Sequence, residues 1–133
     1  MEFKKIISEC DIQELMNEFA FFHDSCIKEI HYLSGSFVDE KRNMHPINSD
    51  RTVSIIFESQ QSKSKTLELR FNKIKEFHLM PKTEDTDCVI YGASLKKIND
   101  FFYWADWVDF SLNDLSENFG TWIIAESVCW QFI

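Results

Sequence analysis

Two neighbouring segments of the chain alternate apolar and polar residues with a period of two, and this leaves little choice of fold. In residues 51–58, Val53, Ile55 and Phe57 alternate with Thr52, Ser54 and, less cleanly, Ile56. In residues 65–71, Leu67, Leu69 and Phe71 alternate with Glu68 and Arg70. Successive side chains of a strand point to opposite faces, so each segment buries one face and wets the other. The short polar stretch 60–64 joins them, and the pair reads as an antiparallel hairpin.

Such a hairpin must cover its apolar face with something else, and the rest of the chain supplies it. Ile12, Leu15, Met16, Phe19 and Phe22 follow helical spacing and make one apolar stripe. Asp11 reads as the N-cap, with Glu14 completing a capping box, and the helix is expected to end near Phe21. Residues 26–33, 75–80, 88–98 and 121–132 read as further strands. Gly35 marks a turn, Pro81 stops the strand at 75–80, and Gly92 marks a bulge. Residues 39–51 read as an exposed loop and 82–87 as an acidic one. Residues 101–107 pair back across Asn99 and Asp100, or else continue a helix through Leu95, Ile98, Phe102 and Ala105. Residues 112–118 are a loop or helical turn. The last strand is apolar on both faces, which places it near the sheet centre. The expected fold is α+β: a single domain over residues 1–133, with an N-terminal helix packed on an antiparallel, largely meandering sheet of about six or seven strands.

The composition can support that core. Of 133 residues, 44% are hydrophobic and 15% aromatic, with 13 Phe, so no metal or disulfide staple is needed. Three Gly and two Pro argue against a low-complexity chain. No apolar run is long enough for a membrane helix, and no secretory leader is evident at the N-terminus. Cys10, Cys26, Cys88 and Cys129 are widely spaced, so the reading is a cytoplasmic protein with free, buried, inert thiols.

The net charge of −8 disfavours nucleic acid and anionic membranes as partners and permits a basic protein. The charge is unevenly placed. After Lys97 there are six acidic residues and no Lys or Arg, whereas sixteen acids meet fourteen bases before that point.

Catalytic and metal motifs are scarce. His23-Asp24, at the helix-to-strand junction, is a candidate acid–base pair, although neighbouring strand residues point to opposite faces. His31 and His78 lie in predicted strands and could meet across the sheet. No HxH, HExxH or CxxC spacing supplies a metal site, and three glycines build no phosphate cradle. No cofactor is implied.

The most unusual stretch is 101–110, where seven of ten residues are Phe, Tyr, Trp or Val and both charges are negative. Rings that desolvate a contact, beside carboxylates that steer it, suit a surface for a basic partner. Trp104, Asp106, Trp107 and Asp109 are the candidate binding residues. The other reading puts Phe102, Trp104 and Trp107 in the core and Asp106 and Asp109 on a solvated edge.

Phe22-His23-Asp24-Ser25-Cys26-Ile27, continued by Ile30-His31-Tyr32, resembles the opening of small bacterial proteins, some of which are grouped with immunity proteins of toxin systems. The later order is also similar: Leu67, Leu69 and Phe71 on a strand, then Trp104-Ala105-Asp106, then a last strand with Trp130. The resemblance implies an acidic α+β domain that binds or neutralises another protein, and it brings no catalytic residues; with the charge, the expected partner is a basic protein, such as a toxin. The sequence thus points to a non-enzymatic protein-binding domain. Two alternatives stay open: a small hydrolase-like enzyme using His23 and Asp24, or a structural module that forms homo-oligomers.

Overall fold

The computed structural model describes residues 2–61, 66–115, 117 and 119–133. In chain order the elements are β1 (Lys4–Ile6), α1 (Glu9–Glu18), β2 (Ser25–Leu33), β3 (Phe37–Val38), β4 (Met44–His45), β5 (Thr52–Ser59), β6 (Thr66–His78), β7 (Ser94–Ile98), β8 (Phe101–Ala105), α2 (Leu112–Leu115) and β9 (Trp122–Phe132).

The architecture is the expected α+β fold, with one main helix on a large antiparallel sheet. The sheet runs β2-β5-β6-β9-β8-β7, with β1 beside the end of β9. It consists of two three-strand meanders, β2-β5-β6 and β7-β8-β9, joined along the long central pair β6 and β9. The hairpin expected from alternation is present: Val53 faces Phe71, Ile55 faces Leu69 and Phe57 faces Leu67. Of the polar connection at 60–64, residues 62–64 lie outside the described residues, as does Lys65.

Several boundaries differ from the sequence reading, each for a physical reason. The helix begins at Glu9, after Ser8, so Asp11 is not its N-cap. Asp11 instead sits in the first turn, where its carboxylate accepts the backbone N–H groups of Ile7 at 2.9 Å and Ser8 at 3.0 Å. Those bonds hold its pKa below the usual carboxylate value. Glu14 is therefore free to pair with Lys4 at 2.9 Å. The helix closes at Glu18, and the chain then makes a left-handed turn in which Ala20, Phe21 and Phe22 all have positive φ. This turn keeps Phe19 and Phe22 in the core although the helix has ended.

Residues 75–80 are not a separate strand, because β6 runs through to His78. What divides the pattern is a kink at Lys73, whose φ is +55°. On its two sides the core-facing residues are Phe71 and Ile74, three apart instead of two, and Ala125 and Val128 repeat that slip on β9. Residues 95–105 form the β7–β8 hairpin, not a helix, with Leu95 opposite Trp104. Only 94–98 of the segment 88–98 belongs to that ladder. The earlier part departs to make a single bridge from Ile90 to Ser25. The loop 39–51 contains one end of a two-stranded β3–β4 hairpin off the main sheet. The turn expected at 112–118 is α2, with Ser116 and Asn118 outside the described residues.

The main core fills the space between α1 and the sheet. Phe19, Phe22, Phe57 and Trp104 form its aromatic centre, with Phe22 edge-on to Phe57 at 5.0 Å and to Trp104 at 5.7 Å. A smaller cluster lies on the other face of β8 and β9, where Ala105, Phe110, Trp122 and Ile124 are buried. The β8–β9 pair is thus covered on both sides, which explains its two-sided apolar sequence.

The Ser25–Ile90 bridge matters most for the site. Asp24 N–H donates to Ile90 O at 2.9 Å and Ile90 N–H to Ser25 O at 2.7 Å. The segment leading into β7, at one edge of the sheet, thereby touches β2 at the other. The sheet curls almost to closure, and one end of the curl stays open.

Candidate functional site

That open end is where β6 and β8 finish and β7 and β9 begin. A cavity of about 600 Å³ lies there. Its walls are Ile27 to Ile30 of β2, the segment 79–82 after β6, the segment 88–92 before β7, residues 106–108 after β8, and Thr121 just before β9. Leu79, Met80, Val89, Ile90, Tyr91 and Val108 make most of the surface apolar. The mouth of a curled sheet is a common place for such a site.

One carboxylate is built into the wall. Asp106 is half-buried, and its Oδ1 accepts the Thr121 N–H at 3.2 Å while its own N–H donates to Thr121 O at 3.0 Å. Burial pushes its pKa above the ordinary value, against the opposing pull of the Thr121 N–H and the charge of Lys82. Thr121 is itself buried, and its hydroxyl accepts the Met80 N–H at 3.0 Å. Trp107 stands beside Asp106. Its indole N–H donates to Asp114 Oδ2 at 3.2 Å and its carbonyl accepts the Ser94 hydroxyl at 2.8 Å, so both ring and backbone are held. The Asp114 carboxyl also takes the Ser111 N–H, and these donors hold its pKa low.

Two glycines permit this packing. A Cβ at Gly120, where φ is +66°, would lie 2.7 Å from the Trp107 ring and 2.8 Å from Asp106 Oδ1. A Cβ at Gly92 would lie 2.8 Å from the Val108 side chain.

The candidate binding residues do not share one surface. Asp106 and Trp107 line the cavity. Asp109 is exposed beyond it, in a left-handed conformation next to Val108, which is 60% exposed. Trp104 is 0% exposed and belongs to the core between Phe22 and Phe57, so it presents nothing to a partner. Of the two readings of 101–110, core and surface, each describes part of the segment.

His23 and Asp24 are adjacent in space as well as in sequence, with Nε2 3.6 Å from Asp24 Oδ2. His23 Nδ1 is 2.8 Å from the Tyr91 carbonyl oxygen, which can only accept, so Nδ1 carries a proton. Gln61 donates to Asp24 Oδ2 at 2.6 Å. These bonds fasten the 88–92 segment to the left-handed turn. Neither side chain lines the cavity.

His31 and His78 do not meet. His31 bonds Glu29 at 2.9 Å on the edge strand, whereas His78 stacks on Trp122 and bonds Gly120 O at 2.6 Å near the sheet centre. Among the described residues no three His, Cys, Asp or Glu side chains converge as metal ligands. All four cysteines are free, but none is fully buried, and Cys10 and Cys88 are exposed. No helix of the described residues is long and apolar enough to cross a membrane.

The cavity walls contributed by 79–82 and 88–92 escaped sequence reasoning. They fall in segments without periodicity, and only the curl of the sheet brings them to Asp106. The Gly120-Thr121 pair before an apolar strand was the one local signal of a tight approach. Comparison with protein-family models, curated proteins and solved structures found no match.

Proposed function

We propose that this chain is a non-enzymatic binding domain of the immunity type, which engages a basic protein toxin and neutralises it. The single observation behind this reading is that the acidic, aromatic segment supplies one wall of the cavity. Asp106, Trp107 and the exposed Val108 line it there, and Asp109 stands exposed next to them. A pre-formed apolar recess with fixed aromatic groups and carboxylates near its rim suits the anchor residues of a basic partner. The −8 net charge would speed the encounter. Free thiols at Cys10 and Cys88 fit a reducing cytoplasm as its location. Pull-down from the native host, repeated with Trp107→Ala and Asp109→Lys, tests the reading. Trp107→Ala is expected to weaken capture by about tenfold or more, and Asp109→Lys to slow association and flatten its salt dependence. Capture unchanged by both variants would remove the proposed surface.

A second reading, a homo-oligomerising module, is favoured by one observation. Tyr32, Leu33, Phe37, Val38, Met44 and Ile47 are all exposed along the end of β2 and the β3–β4 hairpin. Sedimentation of the purified chain separates the two: a monomer at micromolar concentration removes this second reading.

A further inference from the structure

We infer that the cavity at the open end of the sheet binds an organic cation with an apolar body, the charge resting on Asp106 and the carbon skeleton lying against Ile30, Met80, Tyr91 and Trp107. This deepens the binding role proposed above, and rests on it for one point, that the cation is a lysine or arginine side chain of a basic protein and not a free amine.

The charges around the cavity decide the sign of the ligand. Four charged residues line it: Lys28, Glu29, Lys82 and Asp106. Lys28 is 3.7 Å from Glu58 and Glu29 is 2.9 Å from His31, so each has a partner of its own. Lys82 is exposed, and its charge reaches Asp106 without an ion pair between the two. Asp106 alone is half-buried, and the fold gives its Oδ1 a long hydrogen bond, 3.2 Å from the Thr121 N–H, in place of water. A cation brought to Asp106 supplies what is missing, whereas an anion would meet that carboxylate in a low-dielectric wall.

The rest of the site fits the same class. Tyr91 and Trp107 offer rings to a cation, and the Trp107 indole is already fixed by Asp114, so little ordering remains to be done on binding. The volume of about 600 Å³ is in the range that holds a drug-sized molecule, or a basic side chain together with an apolar neighbour. Gly92 and Gly120 let the walls approach so closely that larger residues would fill or distort the space.

The test uses three probes that share one carbon skeleton: 4-phenylbutylamine, 4-phenylbutanol and 4-phenylbutyrate. Each is titrated into the full chain and followed by the backbone amides of Gly92 and Thr121 and the indole N–H of Trp107. The amine should bind about tenfold more tightly than the alcohol, and the carboxylate most weakly. Asp106→Asn keeps an oxygen for the Thr121 N–H, and should erase the preference for the amine. Lys82→Ala, on an exposed residue, should tighten amine binding a few-fold by removing a like charge. A peptide with Lys between Phe and Leu fixes the source. Tighter binding than the free amine assigns the cation to a protein, and weaker binding assigns it to a free amine.

Carboxylate binding equal to the amine, an unchanged preference in Asp106→Asn, or shifts confined to other parts of the sheet would overturn the inference. The two proposals fail separately. Amine binding without capture of a host protein leaves the cation site and removes the protein-binding role. Capture that survives Asp106→Asn, with no amine binding, does the reverse.

Discussion

Asp106 and Thr121 hold each other through two hydrogen bonds, one from the Thr121 N–H to the Asp106 carboxylate and one from the Asp106 N–H to the Thr121 carbonyl. They stand just past the end of β8 and just before the start of β9, so the pair closes the loop between these strands at the cavity wall. The carboxylate is thereby fixed in place and partly stripped of water. Its pKa is raised above 3.8, burial being the largest cause. The folded chain therefore holds this proton more tightly than the unfolded chain does. As pH rises from 3.8 through the raised value, the folded state binds more protons than the unfolded state, and the Asp106 contribution to stability falls. Asp106→Asn removes that fall. Denaturant midpoints of the two proteins, measured from about pH 3 to about pH 7, should show the variant gaining on the wild type as pH rises. A constant difference would mean that Asp106 ionises as freely in the fold as in water.

The same loop depends on Gly120. Its φ of +66° costs any other residue about 1–2 kcal/mol, and a Cβ there would press on both Asp106 and Trp107. Gly120→Ala should lower stability by about 2 kcal/mol and also displace the two groups that line the cavity. Gly35→Ala is the control. It has φ of +96° and an equally close approach to Ser49 and Asp50, in a different part of the chain. Both variants should unfold earlier in denaturant, but only Gly120→Ala should lose binding to the cavity.

What could be read from the sequence, and what could not, follows from the range of each interaction. Alternation in Val53, Ile55, Phe57, Leu67, Leu69 and Phe71 is a local consequence of strand geometry, and their pairing matched it residue by residue. The helix stripe was equally legible, because Ile12, Leu15 and Met16 repeat with the helical period. The kink at Lys73 is not legible, since a positive φ in a charged residue leaves no mark on composition, and β6 therefore reads as two strands. The cavity was hidden for a stronger reason. It depends on one bridge, from Ser25 to Ile90, which brings together the two edges of a curled sheet, and no pattern in either segment specifies that pairing. Asp106 and Trp107 stood out through composition. Trp104 stood out equally by composition, although the pleat turns it inward between Phe22 and Phe57.

Trp104 and Trp107 should accordingly behave differently on substitution. Trp104 is fully buried at the aromatic centre, so Trp104→Ala opens a large cavity and should cost about 3–5 kcal/mol. Trp104→Phe keeps a ring there, and should be milder while leaving binding per folded molecule unchanged. Trp107 is only half-buried, and Trp107→Ala should cost less stability than Trp104→Ala while weakening binding more. Denaturation curves and binding titrations on the three variants separate the two roles, and equal ratios of stability loss to binding loss would contradict the division.

The left-handed turn after the helix offers the last test, because it carries backbone strain that the core must over-rule. Ala20, Phe21 and Phe22 have φ of 52°, 53° and 63°, and each pays about 1–2 kcal/mol relative to a right-handed conformation. The compensation is visible. Phe22 is fully buried, its carbonyl accepts the Ser25 hydroxyl at 2.6 Å, and the Phe21 carbonyl accepts the Ala93 N–H at 3.2 Å. Ala20 contributes the least side chain of the three, so Ala20→Gly relieves strain and gives up little packing. Part of that gain is offset by the greater freedom of glycine in the unfolded chain. The net expectation is stabilisation of up to about 1 kcal/mol, read as a higher denaturant midpoint at an unchanged slope. Phe22→Gly relieves the same strain but removes a buried ring, and should destabilise by about 3–5 kcal/mol. If Ala20→Gly instead destabilises by more than the entropy of one glycine, about 1 kcal/mol, the turn is not left-handed at that residue in solution.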